Sequence, residues 1–327
     1  MSLHPRFRRL ASLGAMSLFV LVALQARRFA DPERPSPDVK NIRYGPHERN
    51  VFDLWKARPN GQPTDKPTPL VVFFHGGGFR QGDKISVPVR MLTDCLNRGI
   101  SVASANYQLS QQAIYPAPML DGARAIQYIR ANAKELGIDP DRIAASGDSA
   151  GAGIALWLGF HEDLADPKSD DPIARQSTRL ACMGVNGAQA SYDPRFIKKL
   201  VGGRAHEHPA LPPFFGIVKE EDANAPAVIK RFEDSSPINH ITKDDPPIFL
   251  LYAEPKGQVA ETARVGEGIH HPRFGDALKA KLEPLGIECI IRHRDDYPDK
   301  KLAQDQMWYE VVRFFDRHLG AVKPTND

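Results

Sequence analysis

Short apolar runs alternate with stretches of helical periodicity along most of the 327 residues. Runs rich in β-branched and aromatic residues predict an early antiparallel strand within 47–57 and then buried strands at 69–74, 100–105, 142–146, 178–185, 247–252 and 288–292. Apolar residues three and four positions apart predict helices near 86–98, at about 117–136, from 150 to 160, at 273–285 and at 302–318. Repeated strand–helix units predict one α/β domain over 46–322, with a mostly parallel sheet and helices on both faces.

One segment interrupts this rhythm, from about 191 to 239. It is rich in proline, phenylalanine and histidine, which is typical of a small cap inserted into an α/β domain. Phe214, Phe215 and Ile217 are its candidate pocket walls. An ordinary surface excursion packed by its own aromatic side chains is the alternative interpretation.

The first 26 residues differ in kind from the rest. Three arginines precede an uncharged apolar stretch from Leu10 to about Leu24, and the segment has no acidic residue. This pattern predicts a signal peptide cleaved after Ala26, and therefore a protein that is secreted or held in the periplasm or cell envelope. An uncleaved signal-anchor is the alternative, because Leu24 is large for its place before the cut; membrane contact is expected only in that case. A proline-rich linker is predicted over 27–45.

Overall charge excludes one class of partner. The chain has 43 basic and 40 acidic side chains, and no basic stripe suits a nucleic acid. Three widely separated cysteines (Cys95, Cys182 and Cys289) are interpreted as buried free thiols. Nothing in the sequence calls for a metal or an organic cofactor. The expected partner is a small-molecule substrate.

A serine between glycines follows the predicted strand 142–146, in the sequence Gly147-Asp148-Ser149-Ala150-Gly151. A sharp strand-to-helix turn leaves room only for residues without a Cβ at the second position on either side of the serine. Such a turn points the serine out from the sheet, next to the N-terminus of the following helix. The motif alone is weak, but a second motif strengthens it.

That second motif, His75-Gly76-Gly77-Gly78-Phe79, follows the predicted strand 69–74. Backbone N–H groups of Gly77 and Gly78, together with that of Ala150, can converge on a tetrahedral oxyanion. The order and separation of the two motifs leave space for a helix and a strand between them. Together they predict a site for acyl transfer.

With these motifs the chain resembles the α/β-hydrolase superfamily, specifically the carboxylesterases that include hormone-sensitive-lipase-like and bacterial feruloyl-esterase-like enzymes. The resemblance runs from about Tyr44 to the C-terminus and also uses Asn106-Tyr107-Gln108-Leu109-Ser110, Tyr115-Pro116-Ala117-Pro118 and Asp139-Pro140-Asp141-Arg142-Ile143. It implies an α/β-hydrolase fold, a carboxylic ester as substrate, Ser149 as nucleophile, and Gly77, Gly78 and Ala150 as oxyanion donors.

The partners of the serine are less evident. In this superfamily the nucleophile is followed in the chain by an acid and then by a histidine. Lys256 lies near the expected acid, and Glu254 is the nearest carboxylate, about two residues early. The loop after the last strand, 294–300, has no histidine, and His293 precedes it.

Two other histidines, His270 and His271, precede the predicted helix 273–285. Their loop emerges at the same end of a parallel sheet as Ser149, so His271 or His270 is the candidate base. Entry into the helix beside Pro272 is the structural alternative for both. The first hypothesis is therefore a serine esterase of small carboxylic esters. The alternative is a degenerate hydrolase that binds a ligand without turning it over, and a peptidase is a distant third.

Overall fold

The computed structural model describes residues 33–320. Its strands are β1 (Val39–Arg43), β2 (Val51–Trp55), β3 (Thr68–Phe74), β4 (Ser101–Ala105), β5 (Ile138–Asp148), β6 (Met183–Asn186), β7 (Ile248–Tyr252) and β8 (Cys289–His293). They form one sheet in the order β1-β2-β4-β3-β5-β6-β7-β8. β2 is antiparallel to both β1 and β4, and all the other pairings are parallel. This is the mostly parallel sheet of an α/β-hydrolase fold, as the sequence predicts.

Helices follow most of the strands. They are α1 (Val89–Asn97), α2 (Ala117–Ala131), α3 (Ala133–Leu136), α4 (Ala150–Phe160), α5 (Pro194–Val201), α6 (Leu211–Phe215), α7 (Pro226–Asp234), α8 (Arg273–Leu282) and α9 (Ala303–Leu319). Within residues 33–320, no helix combines the length and the apolar character needed to cross a membrane.

Side-chain alternation along the central strand divides the core between two faces. Val71 and Phe73 of β3 pack in one cluster with side chains of α1 and α9. Leu70, Val72 and Phe74 point the other way and join side chains of α2 and α4. All five are fully buried, and a buried side chain of this size contributes about 2 kcal/mol to stability. Helices on both faces therefore fix the sheet that carries the site.

The strand order reverses at β3, and this places the site. The chain passes from β3 to β4 on one side and then returns to β5 on the other side. Loops that leave neighbouring strands in opposite directions open a crevice at their carboxyl ends. The glycine-rich loop at 75–79 follows β3, and Ser149 follows β5, so the two motifs meet at that crevice.

Several element bounds differ from the prediction. The predicted linker contains β1, which pairs with β2 along the edge of the sheet. β6 begins at Met183 and not at Thr178, the predicted start, whose N–H is bonded to the side chain of Asp163. The predicted helix 117–136 is divided at Asn132, and Leu120 lies on its exposed side, with 48 % of its surface accessible.

The segment predicted as a cap holds α5, α6, α7 and short 3₁₀ turns between β6 and β7. Its Phe214 ring stacks on Phe79 of the glycine-rich loop with centroids 4.0 Å apart, and both rings are buried. Phe215 is buried behind Phe214, whereas Ile217 is only partly buried. The aromatic side chains thus pack onto the loop beside Ser149, beyond their own segment.

Candidate active site

Ser149 occupies a strained turn between β5 and α4. Its φ of 51° and ψ of −114° lie in a region that non-glycine residues rarely adopt. A Cβ on Gly147 would lie 2.4 Å from the backbone of Gly151, and a Cβ on Gly151 would lie 2.0 Å from the carbonyl oxygen of Phe74. Glycine is therefore required two residues before and two residues after the serine, as the motif predicts.

The hydroxyl of Ser149 meets an imidazole. Its Oγ lies 2.8 Å from Nε2 of His270, and Nδ1 of His270 lies 3.2 Å from Oε1 of Glu254. Because a carboxylate only accepts, Nδ1 carries the proton and Nε2 is left to accept from the serine hydroxyl. Both side chains remain accessible, His270 at 34 % and Glu254 at 29 %. The structure thus joins a hydroxyl, a base and an acid in one chain of hydrogen bonds.

His271, the other candidate base, is held elsewhere. Its Nδ1 accepts from the N–H of Arg273, and its Nε2 donates to the carbonyl of Gly257 at 2.8 Å. Both ring nitrogens are therefore engaged by backbone groups, one at the start of α8 and one in the loop after β7, and the side chain is buried. The structural alternative, helix entry, describes His271, while His270 points to the serine.

His293, which precedes the loop where the superfamily has its histidine, supports the acid. His293 is buried at the end of β8, accepts from Asp295 N–H through Nδ1, and donates from Nε2 to the carbonyl of Glu254 at 2.7 Å. Lys256 points away and pairs with Asp296 at 3.1 Å. The residue just before the loop 294–300, in which the superfamily's histidine is expected, thus fixes the backbone of Glu254.

The glycine-rich loop is braced by His75. This ring is buried, stacks on Tyr107 with centroids 4.3 Å apart, and hydrogen-bonds to the carbonyl of Gly76. Burial lowers the pKa of His75 to about 4, so the ring is neutral at pH 7. Arg49 contacts Nε2 of the ring at 3.1 Å. His75 is a support of the loop and not a base.

Three predicted donors surround the serine. Gly77 and Gly78 have φ values of 117° and 61°, and no group within residues 33–320 accepts a hydrogen bond from the N–H of either. Ala150 is the first residue of α4, so its N–H has no acceptor inside the helix. A Cβ placed on Gly76 would lie 3.5 Å from Cβ of Ser149, which shows how closely the loop approaches the turn.

Two cavities of different character open at Ser149. The first is a narrow pocket of about 30 Å³, with room for about two water molecules. Its walls are mostly apolar: Gly78, Phe79, Ala150, Gln189, Tyr192, His208, Ala210, Leu211, Phe214 and Ile269. The second is a cleft of about 530 Å³ bordered by Gly77, Gly78, Arg80, Gln81, Gln111, His208, Ala210 and His270. His270 borders only the wider cleft.

Sequence reasoning missed the residues that hold His270 in place. Its ring packs on Gly187, where a Cβ would lie 3.2 Å from Cδ2 of the histidine. Gln189 donates to the carbonyls of both Gly187 and Ile269, and so ties the loop before His270 to the end of β6. No local signal marks these residues, because they act across 80 positions of the chain.

A buried carboxyl lies next to the nucleophile in the chain. Burial raises the pKa of Asp148 to about 6, while the Asn186 amide, 3.1 Å away, and the charge of His270 lower it. With a pKa of about 6, the carboxyl group is mostly ionised at pH 7. The arrangement as a whole can activate a hydroxyl, accept its proton and stabilise the resulting oxyanion.

Comparison with known proteins places the fold and the family. The family model described as BD-FAE matches residues 59–262. Esterase LipQ of Mycobacterium tuberculosis (strain ATCC 25618 / H37Rv) is 28 % identical over 68 % of this chain and 49 % of its own length. Acetyl esterase of Salmonella choleraesuis (strain SC-B67) is 27 % identical over 71 % of this chain and 67 % of its own.

The fold also recurs in a solved structure. Propionate-bound Est2, a thermophilic esterase from Thermogutta terrifontis, superposes with a TM-score of 0.60 at 21 % identity, over 90 % of this chain and 98 % of Est2. The chain spans about half the length of the curated relatives LipQ, LipM and LipC.

Proposed function

This chain belongs to the BD-FAE family, and from that premise we propose that it is a carboxylic ester hydrolase that forms an acyl-enzyme on Ser149. The observation that carries the proposal is the continuous hydrogen-bonded path from Ser149 through His270 to Glu254, with distances of 2.8 and 3.2 Å. A serine hydroxyl is a poor nucleophile until a positioned base takes its proton.

In the first half of the reaction, Ser149 Oγ attacks the ester carbonyl while its proton passes to Nε2 of His270. The carbonyl oxygen becomes an oxyanion, and the N–H groups of Gly77, Gly78 and Ala150 stabilise it. Glu254 holds the proton-bearing Nδ1 and stabilises the imidazolium. His270 then gives its proton to the leaving alcohol, and water repeats the sequence to release the acid.

Position relative to His270 assigns the two cavities. The leaving alcohol must receive its proton from His270, so it occupies the wider cleft that this histidine borders. The acyl group then enters the narrow apolar pocket, which does not include His270. The small volume of this pocket favours short acyl chains, and Arg80 and Gln111 favour a polar alcohol.

The degenerate-hydrolase alternative depends on a missing acid and base. His270 and Glu254 supply groups of the right chemistry within hydrogen-bond reach, and the esterase names of the relatives support turnover. A binding protein would need no strained serine and no histidine hydrogen-bonded to both the serine and a carboxylate.

The test is hydrolysis of p-nitrophenyl acetate by wild type and Ser149→Ala. We expect kcat to fall by about 10³-fold or more in Ser149→Ala, because the nucleophile is lost. Ser86→Ala, which alters an exposed serine on a 3₁₀ turn, is the matched control and should keep wild-type rates. A fluorophosphonate should label Ser149 in wild type only. Unchanged hydrolysis in Ser149→Ala would overturn the serine mechanism, and absence of both turnover and labelling in wild type would favour the binding protein.

We also propose that the protein is exported, on the pattern of residues 1–26, which lie outside the described residues. The expected result is enrichment of the mature chain outside the cytoplasm, with an N-terminus at Arg27 by Edman sequencing. A full-length chain in the membrane fraction would instead support the signal-anchor alternative, and a cytoplasmic chain would contradict export.

A further inference from the structure

Three side chains that the ester chemistry does not use come together at the far end of α4. His161 directly follows this helix, Asp234 ends α7, and His240 follows the next 3₁₀ turn. Each side chain offers one potential metal-ligand atom, and these three atoms lie within 4.8 Å of one another. We propose that His161, Asp234 and His240 form a binding site for a divalent transition-metal ion of the Zn²⁺ type.

The donor set suits that ion. Two imidazoles and one carboxylate are a common protein ligand set for Zn²⁺, with a fourth position open to water. Ligand atoms at about 2.0–2.1 Å from a tetrahedral ion lie roughly 3.3 Å apart. Each distance between two ligand atoms therefore shortens by about 1.5 Å at most when the ion binds. None of the three residues is buried, so rotation of the side chains and entry of the ion are both open.

Hydrogen bonds orient both rings as metal ligands are oriented. Nδ1 of His161 contacts the carbonyl of Glu162 at 3.2 Å, and Nε2 of His240 contacts the carbonyl of Asp234 at 2.7 Å. A metal-binding histidine usually donates its second N–H to such a carbonyl. These contacts place protons on those nitrogens and leave Nε2 of His161 and Nδ1 of His240 as the free lone pairs.

The surroundings support the remaining ligand. The hydroxyl of Tyr115 donates to Oδ2 of Asp234 at 2.5 Å, which leaves Oδ1 for the ion. The indole of Trp157 stacks on His161 with centroids 4.1 Å apart and donates to the carbonyl of Asp234 at 3.0 Å. The carboxylate and one ring are thus already held by neighbours that are not ligands.

This site is separate from the serine site. Ser149 and His161 lie at opposite ends of α4, and the 11 residues of that helix span about 16 Å. An ion held there would clamp the end of α7, in the inserted segment, to the helix that begins at the nucleophile. The role is structural, and it does not depend on the esterase proposal. Sequence reasoning missed it because its ligands come from separate segments with no ligand spacing.

The test is titration of the chelator-treated full chain with Zn²⁺ by calorimetry, with Co²⁺ absorption as a probe of geometry. We expect one equivalent to bind, and affinity to fall by more than about tenfold in His161→Gln, His240→Gln and Asp234→Asn. Asp234→Asn keeps the shape of the side chain and guards against loss of folding, which circular dichroism checks. His318→Gln, which alters a histidine at the end of α9, is the matched control and should bind like wild type.

Three results would overturn the proposal. The first is that wild type binds no stoichiometric Zn²⁺. The second is that the folded variants bind as tightly as wild type. The third is that binding is lost in His208→Gln instead, because the ion then occupies the substrate cleft. Zinc-edge X-ray absorption on the loaded wild-type protein gives a readout without any variant, and it should show two imidazole ligands.

Discussion

His75 of the glycine-rich loop and Asp148, which precedes the nucleophile in the chain, are both buried, and burial shifts their pKa values in opposite directions. His75 moves from 6.5 to about 4, so its folded form resists protonation. A depressed pKa contributes stability that is complete above the unfolded value and is lost as the pH falls toward the folded value. At about 1.36 kcal/mol per pKa unit, wild type should lose about 3 kcal/mol through His75 between pH 7 and pH 4.

The pKa shift of Asp148 has the opposite effect on stability. Its pKa rises from 3.8 to about 6, so the folded state binds a proton more readily than the unfolded chain does. Acidification from pH 7 to pH 4 therefore adds about 2 kcal/mol to the free energy of unfolding. In wild type the two effects largely cancel, and only variants separate them.

The assay is urea unfolding of wild type, His75→Gln and Asp148→Asn at pH 7 and pH 4. Each protein is compared with itself, so the constant cost of a lost contact, such as stacking of His75 on Tyr107, drops out. Relative to wild type, His75→Gln should lose about 3 kcal/mol less on acidification, and Asp148→Asn should lose about 2 kcal/mol more. If the free energy of unfolding changes equally in all three proteins between pH 7 and pH 4, the pKa shifts of His75 and Asp148 are refuted.

Four further predictions concern the reaction. His270→Gln should lower kcat for p-nitrophenyl acetate by about 10³-fold or more. His271→Gln should keep kcat within a few-fold and lower the free energy of unfolding by about 1–3 kcal/mol. The reverse pattern would make His271 the base. Glu254→Gln should lower kcat by about 10³–10⁴-fold with the tertiary structure intact, and an unchanged kcat would remove it from the triad. His293→Gln should lower kcat by up to about 10²-fold at constant KM, because it only positions the backbone of Glu254; a change confined to KM would contradict that role. Across p-nitrophenyl esters, kcat/KM should fall from acetyl to hexanoyl as the narrow pocket fills, and a steady rise with chain length would place the acyl group in the wider cleft.

Local rules explain how much of this site the sequence could predict. The turn at Ser149 needs glycine at fixed offsets, and the loop at 75–79 needs glycine at positive φ. Both features can therefore be recognised from a motif of five residues. The sequence does not show which of His270 and His271 is the candidate base, because this depends on which ring accepts the N–H at the start of α8. The roles of Gln189 and Gly187 depend on the path of a distant loop, and no spacing in the sequence records that path.

The position of the histidine also has a geometric explanation. The proposed nucleophile Ser149, acid Glu254 and base His270 follow one another in the chain in the superfamily's order. What differs is the loop: His270 comes after β7, and the loop after β8 supplies His293 as a support for the acid. β7 is two strands from β5 and β8 is three strands away, so the two loops start about 10 Å and about 14 Å from the nucleophile's strand. Because the loop after β7 starts closer to Ser149, one loop can provide both the acid and the base, provided that a neighbour fixes it. His293 fixes the loop near its start, at Glu254, and Gln189 fixes it just before the base, at Ile269.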